Sequence, residues 1–407
     1  MNITLQKSKI VKESIIKITG SKSESNRLLL LQALYPNIEI SNVSNSDDSK
    51  LMQKALSSSS NTIDIYHAGT AMRFLTAYFS LQKGREIILT GSSRMQERPI
   101  EVLVNALKDL GADISYINKK GYPPLNIKGQ ALKKHQVTLA ANVSSQYISA
   151  LLLIAPRLKK GLELTLEGKI TSVPYIKMTL NLLRQIGVNI SFKDNKITVQ
   201  PINEVTSKKL VVESDWSSVS YFYSIVALSN VGTKIELSSY IQNSLQGDSV
   251  LSTIYKDFGV ETVFDDMTIT LTKKNNQVSN FEYNLSNAPD IAQTITVTCL
   301  GLGISCHLTG LHTLKIKETD RLVALKTEIE KFGTQVTISN DTLTISKINP
   351  LVSNVNVETY HDHRMAMAFA PLALKATFNI LEANVVTKSY PDFWNDLKNI
   401  GFNFSKF

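Results

Sequence analysis

A chain of 407 residues is too long for one ordinary hydrophobic core, so two domains are expected. Hydrophobic residues make up 43% and charged residues 19%, a balance that excludes a disordered chain. The formal charge of +9 admits three kinds of partner: nucleic acid, an anionic membrane, or small polyanionic substrates.

In chain order, Met1–Lys17 alternates polar and apolar residues and carries four lysines, unlike a signal peptide. No segment approaches the roughly 20 apolar residues of a membrane helix, so a soluble, cytoplasmic protein with no membrane partner is expected. Gly20-Ser-Lys-Ser-Glu-Ser-Asn-Arg27 then leads into the apolar helix Leu28–Leu34. Serines before a helix cap it and present backbone N–H groups, so the segment is either an anion site or a capped helix with a solvated Lys22. It lacks the spacing of a P-loop. His67-Ala-Gly-Thr-Ala-Met-Arg73 is a second glycine turn entering a helix. In Gly91-Ser-Ser-Arg-Met-Gln-Glu-Arg-Pro-Ile100 two arginines flank a loop, and Pro99 suits the first turn of the next helix.

That next segment, Pro99–Leu110, is apolar at Ile100, Leu103, Val104, Leu107 and Leu110, which is helical spacing. Gly111 closes it as a left-handed cap would, and Ala112–Ile117 and Pro124–Ile127 supply two short strands. The same unit recurs at Tyr175–Ile186 with Gly187, at Ser249–Phe258 with Gly259, and at Arg321–Phe332 with Gly333. A truncated copy runs from Pro391 through Gly401, and a weaker first copy, Lys50–Leu56 followed by Thr62–Tyr66, lacks the glycine. Successive glycines are 76, 72, 74 and 68 residues apart, so about six units are expected, three in each domain. The boundary falls near Glu213–Trp216, and the N-terminal strand is expected to join the second domain. The domains are then 20–213, and 1–19 plus 214–407, with a cleft between them as the default binding site.

Further along, Ser144-Ser145-Gln146-Tyr147 opens a helix with neutral donors for a phosphate or for sugar hydroxyls. Cys299 and Cys306 lie in the apolar run Thr294–Leu308 and read as buried packing residues. Lys315-Ile-Lys-Glu-Thr-Asp-Arg321 has five charged residues of seven, either an ion-paired helix start or part of a converging site. His361-Asp-His-Arg364 pairs two histidines with an aspartate, but no separated third ligand accompanies them, so no metal is expected. Lysine pairs such as Lys119–Lys120 and Lys208–Lys209 sit in turns without interleaved aromatics and read as solvated surface, which argues against nucleic acid.

Eight segments, Gly20–Arg27, His67–Arg73, Gly91–Ile100, Ser144–Gln146, Ser172–Tyr175, Lys317–Arg321, Asp362–Met367 and Lys388–Phe393, resemble in order those of the 3-phosphoshikimate 1-carboxyvinyltransferases (EPSP synthases). The resemblance implies an α/β fold of two similar domains, each of three βαβαββ units in an inside-out α/β barrel, with the active site in the interdomain cleft. It implies transfer of the enolpyruvyl group of phosphoenolpyruvate to the 5-hydroxyl of shikimate 3-phosphate, with no metal or organic cofactor. Shikimate 3-phosphate would be held by Lys22, Ser23, Arg27, Ser144, Ser145, Gln146, Ser172, Tyr175, Asp290 and Lys317. Phosphoenolpyruvate would be held by Lys22, Gly69, Arg94, Gln146, Arg321, Arg364 and Lys388. Asp290 would be the base at the hydroxyl, Glu318 the proton carrier at the methylene, and Lys22 the assistant at the leaving group; His363 either takes part or orients Arg364.

His67 stands where the family often has Asn, Thr313 where some members have Asn, and Phe74 where proline is common. These departures bear on pocket detail and on inhibition by glyphosate. The nearest alternative acts on UDP-N-acetylglucosamine and would need a reactive cysteine on a loop where this chain has Arg94. RNA 3′-phosphate cyclase would need ATP and a histidine nucleophile, and a basic nucleic-acid-binding protein would need no catalysis at all. No fused partner domain is present, so a monomer is expected.

Overall fold

The helices closed by glycine end as their sequence requires. Gly111, Gly187, Gly259, Gly333 and Gly401 all have positive φ, between 72° and 110°. At Gly259 a side chain is excluded twice over, because a Cβ would also lie 2.3 Å from the carbonyl oxygen of Asn275. The computed structural model describes residues 1–140, 144–168, 170, 173–276, 280–346 and 349–407. Within these the chain divides into two compact units, Met1–Thr19 with Glu213–Phe407, and Gly20–Val212. Glu213 goes with the first of these because its buried carboxylate accepts from Trp216 Nε1 at 2.7 Å and from the Ile241 amide at 3.1 Å.

Among the described residues five four-stranded sheets share one arrangement, in which two parallel strands are followed by an antiparallel pair. In the unit Gly20–Val212, Thr62–Asp64 runs parallel to Glu86–Thr90, which pairs antiparallel with Leu125–Lys128 and through it with Asp113–Tyr116. Gln136–Ala140, Leu162–Glu167, Lys196–Val199 and Ile190–Lys193 repeat the arrangement. In the other unit it recurs around Lys234–Ser238 and around Cys306–Thr309. The last copy, Asn356–Val357 and Phe378–Ile380, is completed by Phe404–Lys406 and by Ile3–Leu5 from the N-terminus.

Two expectations are corrected. Among the described residues the weak first copy has no hairpin: Lys208–Val211 pairs only with Ile38–Ser41, and Thr62–Asp64 joins the next sheet. No glycine reverses the chain after the helix Asp47–Ser57, so it runs on extended. Ser249–Phe258 is not one helix but a short α-turn, Leu251–Ile254, between 3-10 turns Gly247–Val250 and Tyr255–Phe258. Its serine, threonine and β-branched residues are middling helix formers.

The first helix of each repeat is buried almost all round, and the second is amphipathic. In one unit the buried helices are Lys22–Leu34, Gly69–Ser80 and Ser145–Ile154, which pack on one another. In the other they are Trp216–Leu228, Ala292–Leu302 and His363–Phe369. The outer helix Glu101–Leu110 buries only Leu103, Val104, Ala106, Leu107 and Leu110. Cys299 and Cys306 are buried free thiols. No described helix is long and apolar enough to cross a membrane. The segments singled out in the sequence lie at helix N-termini, Gly20–Arg27, His67–Arg73, Ser144–Tyr147 and His361–Arg364 at buried helices and Gly91–Ile100 and Lys315–Arg321 at outer ones, where backbone N–H groups lack helical partners.

Candidate active site

In the unit carrying residues 213–407, the site is built around Arg321. Asp320 caps its helix by accepting from the Leu322 and Val323 amides at 3.1 and 3.2 Å, and the side chain turns inward to 1% exposure. Its fork engages three carboxylates from three segments. Nε donates to Asp362 Oδ2 at 2.7 Å, Nη1 to Asp290 Oδ1 at 2.9 Å and Nη2 to Glu318 Oε2 at 2.8 Å. Burial works against its charge, yet Asp362, Glu318 and Asp290 together hold the guanidinium above its ordinary pKa.

Asp290 collects cations in turn. Lys317 Nζ lies 3.3 Å from Oδ1, and Arg364 Nη2 lies 3.5 Å from Oδ2 while its Nη1 donates to the Asp290 carbonyl at 3.1 Å. Burial pushes this carboxyl up, but Lys317, Arg364 and Arg321 outweigh it and hold the group well below the usual carboxylate range. Lys388 Nζ donates to the His361 carbonyl at 2.6 Å. Expected residues Asp290, Lys317, Glu318, Arg321 and Arg364 are therefore brought together. The sequence reading missed Asp362, which caps its helix through the Arg364 amide at 2.9 Å and anchors Arg321. The sequence signal for it was its place as an N-cap before an apolar helix; its partner, 41 residues away, had none.

In the unit Gly20–Val212, Lys22 opens its helix with Nζ 3.5 Å from Asp48 Oδ2. Ser144 caps the helix Ser145–Ile154 through the Gln146 amide, and Gln146 Nε2 donates to Thr70 Oγ1 at 3.1 Å. Arg27 lies deeper, at 2% exposure. It donates to Thr179 Oγ1 at 2.8 Å, to the Ser23 carbonyl at 2.6 Å and to Ser149 Oγ at 3.1 Å, and its guanidinium lies 6.0 Å from the Tyr175 ring. Burial lowers its pKa to about 10. Ser172 lies outside the described residues.

The arginine loop separates two chemically alike residues. Arg94 points to solvent, 57% exposed, and pairs with Glu97 at 2.8 Å. The neighbouring arginine, Arg98, lies over Gly69, so that a Cβ there would be 2.5 Å from Arg98 Nη1. Four residues along a short helical turn separate inward from outward, and composition does not distinguish the two. Arg73 fastens this loop to its helix, donating to the carbonyls of Gly69 at 3.0 Å and Pro99 at 3.2 Å.

Residues 52–397 match the sequence model of a family described as EPSP synthase (3-phosphoshikimate 1-carboxyvinyltransferase). The chain belongs to the EPSP synthase family. It is 46% identical over 396 residues to the 3-phosphoshikimate 1-carboxyvinyltransferase of Bacteroides fragilis strain YCH46, covering 96% of each chain. It is 35% identical to the enzyme of that name from Haemophilus influenzae over 431 residues, covering 95% of this chain and 96% of the other. Among solved structures, EPSP synthase from Acinetobacter baumannii superposes with a TM-score of 0.82 at 20% identity, covering 100% of both chains. The enolpyruvyl transferase NikO from Streptomyces tendae follows at 0.73 and 12%, covering 99% of this chain and 98% of its own. These distant likenesses establish the fold, the two-domain α/β architecture of the enolpyruvyl transferases, and the EPSP synthase relatives establish the family. Among the described residues no group of three or more His, Cys, Asp or Glu is arranged to hold a metal ion.

Proposed function

We propose that this chain transfers the enolpyruvyl group of phosphoenolpyruvate to the 5-hydroxyl of shikimate 3-phosphate, releasing phosphate. The observation that carries the reading is Asp290, a half-buried carboxylate kept ionised by Lys317, Arg364 and Arg321. Each substrate brings a carboxylate and a phosphate, which can draw these cations into charge-assisted hydrogen bonds worth roughly 1.5–3 kcal/mol each. Once the cations are shared with substrate, the proton affinity of Asp290 rises and it becomes a competent base.

In the addition, Asp290 takes the hydroxyl proton as the oxygen bonds to C2, and Glu318 delivers a proton to C3. In the elimination, the C2–O bond to phosphate breaks, Glu318 takes a proton from C3, the double bond re-forms, and the proton held by Asp290 leaves with the phosphate. Lys22 assists the departing phosphate. Ser23, Ser144, Ser145, Gln146, Ser172, Tyr175 and Lys317 hold shikimate 3-phosphate. Arg27, buried beneath Tyr175, positions that set rather than touching it. Lys22, Gly69, Arg94, Gln146, Arg321, Arg364 and Lys388 hold phosphoenolpyruvate, and Arg98, which lies over Gly69, joins them.

The alternative acceptor UDP-N-acetylglucosamine is not favoured, because both cysteines are buried and burial pushes the Cys299 thiol well up. The protein acts as a cytoplasmic monomer, and glyphosate competes with phosphoenolpyruvate. The deciding assay is phosphate release from phosphoenolpyruvate with each acceptor in turn. Release only with shikimate 3-phosphate supports the reading, and release only with the nucleotide sugar overturns it.

A further inference from the structure

Behind Arg364 stands a second buried acid that the mechanism does not use. Asp248, in the turn Gly247–Val250, is 3% exposed. Its Oδ2 accepts the hydroxyl of Ser217, and Ser217 Oγ in turn accepts Arg364 Nη2 at 3.2 Å. The same guanidinium holds the Asp290 carbonyl, so one arginine is shared between Asp290 and the Ser217–Asp248 pair. Asp248 Oδ1 is buried with no hydrogen-bond partner among the described residues. Leaving one oxygen of an ionised carboxylate in that state is costly, and protonation relieves it. The groups facing Asp248 are the acids Asp290 and Asp215, the Arg364 guanidinium and the Ser217 hydroxyl. Burial, then Asp290, pushes its carboxyl up to about 7, against the opposing pull of Arg364 and Ser217.

We propose that Asp248, acting through Ser217, is a positioning residue that decides how much of Arg364 is available to an incoming anion. Ionised Asp248 takes the Ser217 proton into its hydrogen bond, which makes Ser217 Oγ a stronger acceptor and holds Arg364 inward. Protonated Asp248 donates to Ser217 Oγ instead and occupies the lone pair that Arg364 uses. Arg364 is then released toward substrate. Phosphoenolpyruvate therefore binds more tightly to the form in which Asp248 carries a proton. The inference rests on the reading of Arg364 as a phosphoenolpyruvate-holding group.

The test is the pH profile of KM for phosphoenolpyruvate in the wild type, Asp248→Asn and Ser217→Ala, with shikimate 3-phosphate saturating. Between about pH 6 and about pH 8.5 the wild-type KM is expected to rise at least about fivefold more than that of either variant. In the variants KM shifts more than kcat does. Equal pH dependence in an active wild type and both variants overturns the inference alone. Absence of turnover in the wild type overturns the functional reading and the inference with it. A second arm needs no substrate: the thermal midpoint of the wild type should fall relative to Asp248→Asn over the same range, because a carboxyl with a raised folded pKa destabilises the fold as it ionises. Parallel thermal curves would also overturn it.

Discussion

The guanidinium of Arg98 lies over the Hα face of Gly69, close enough that a methyl group there would sit 2.5 Å from Nη1. Gly69→Ala must therefore displace the end of a flexible side chain, not backbone. We expect KM for phosphoenolpyruvate to rise by roughly tenfold, the loss of about one charge-assisted hydrogen bond, with KM for shikimate 3-phosphate moving less. The thermal midpoint should hold within about 2 °C, since no core contact is lost. Steady-state kinetics with each substrate varied, alongside calorimetry, checks both halves.

The two arginines of that loop can be tested separately. Arg98→Ala removes an inward charge and should raise KM for phosphoenolpyruvate by about 10- to 150-fold, equivalent to roughly 1.5–3 kcal/mol. Arg94→Ala should raise it in the same range, since the exposed pair with Glu97 is weak and yields the guanidinium to an incoming anion. A change below about twofold in either variant would remove that arginine from the site.

Asp290→Asn should lower kcat by about 10²- to 10⁴-fold, the usual worth of a positioned general base. Glu318→Gln should fall in the same range through the proton at C3. Near-normal turnover of Asp290→Asn would remove it from the role of base.

Arg321 satisfies three carboxylates at once, one of them, Asp362, fully buried. Arg321→Met leaves Asp362 and Asp290 without that partner and should lower unfolding stability by about 3–5 kcal/mol. Urea titration of the variant reads this directly. A loss below about 1 kcal/mol would show that Lys317 and Arg364 compensate.

The acid side of the stability profile has a definite sign. The folded-state pKa of Asp290 is depressed, so its stabilising contribution is complete above the unfolded value of about 4 and is lost as pH falls below it toward the lower folded value. Urea midpoints taken between about pH 5 and about pH 2.5 should fall more steeply for the wild type than for Asp290→Asn. Equal slopes would mean that Asp290 is not held ionised by its neighbours.

The repeat was legible because every part of it is local. A helix closed by a left-handed glycine at Gly111 or Gly333 and followed by alternating residues is specified within about 30 residues. The chemistry-bearing segments were legible for the same reason, since serine, glycine and aspartate before an apolar helix announce an N-terminus. Asp248 was not legible, because its turn looks like the polar entry to an ordinary outer helix.

Local order, then, came from the sequence unaided: which stretches are helices, where each stops, and which turns gather polar groups. Folding decided between residues that are chemically alike. It set Arg98 rather than Arg94 over Gly69, brought Asp362 to Arg321, and placed Ile3–Leu5 beside Phe404–Lys406 at the far end of the chain. Such choices depend on which buried helices meet, and that is fixed by packing between segments tens to hundreds of residues apart, beyond the range of any periodicity along the chain.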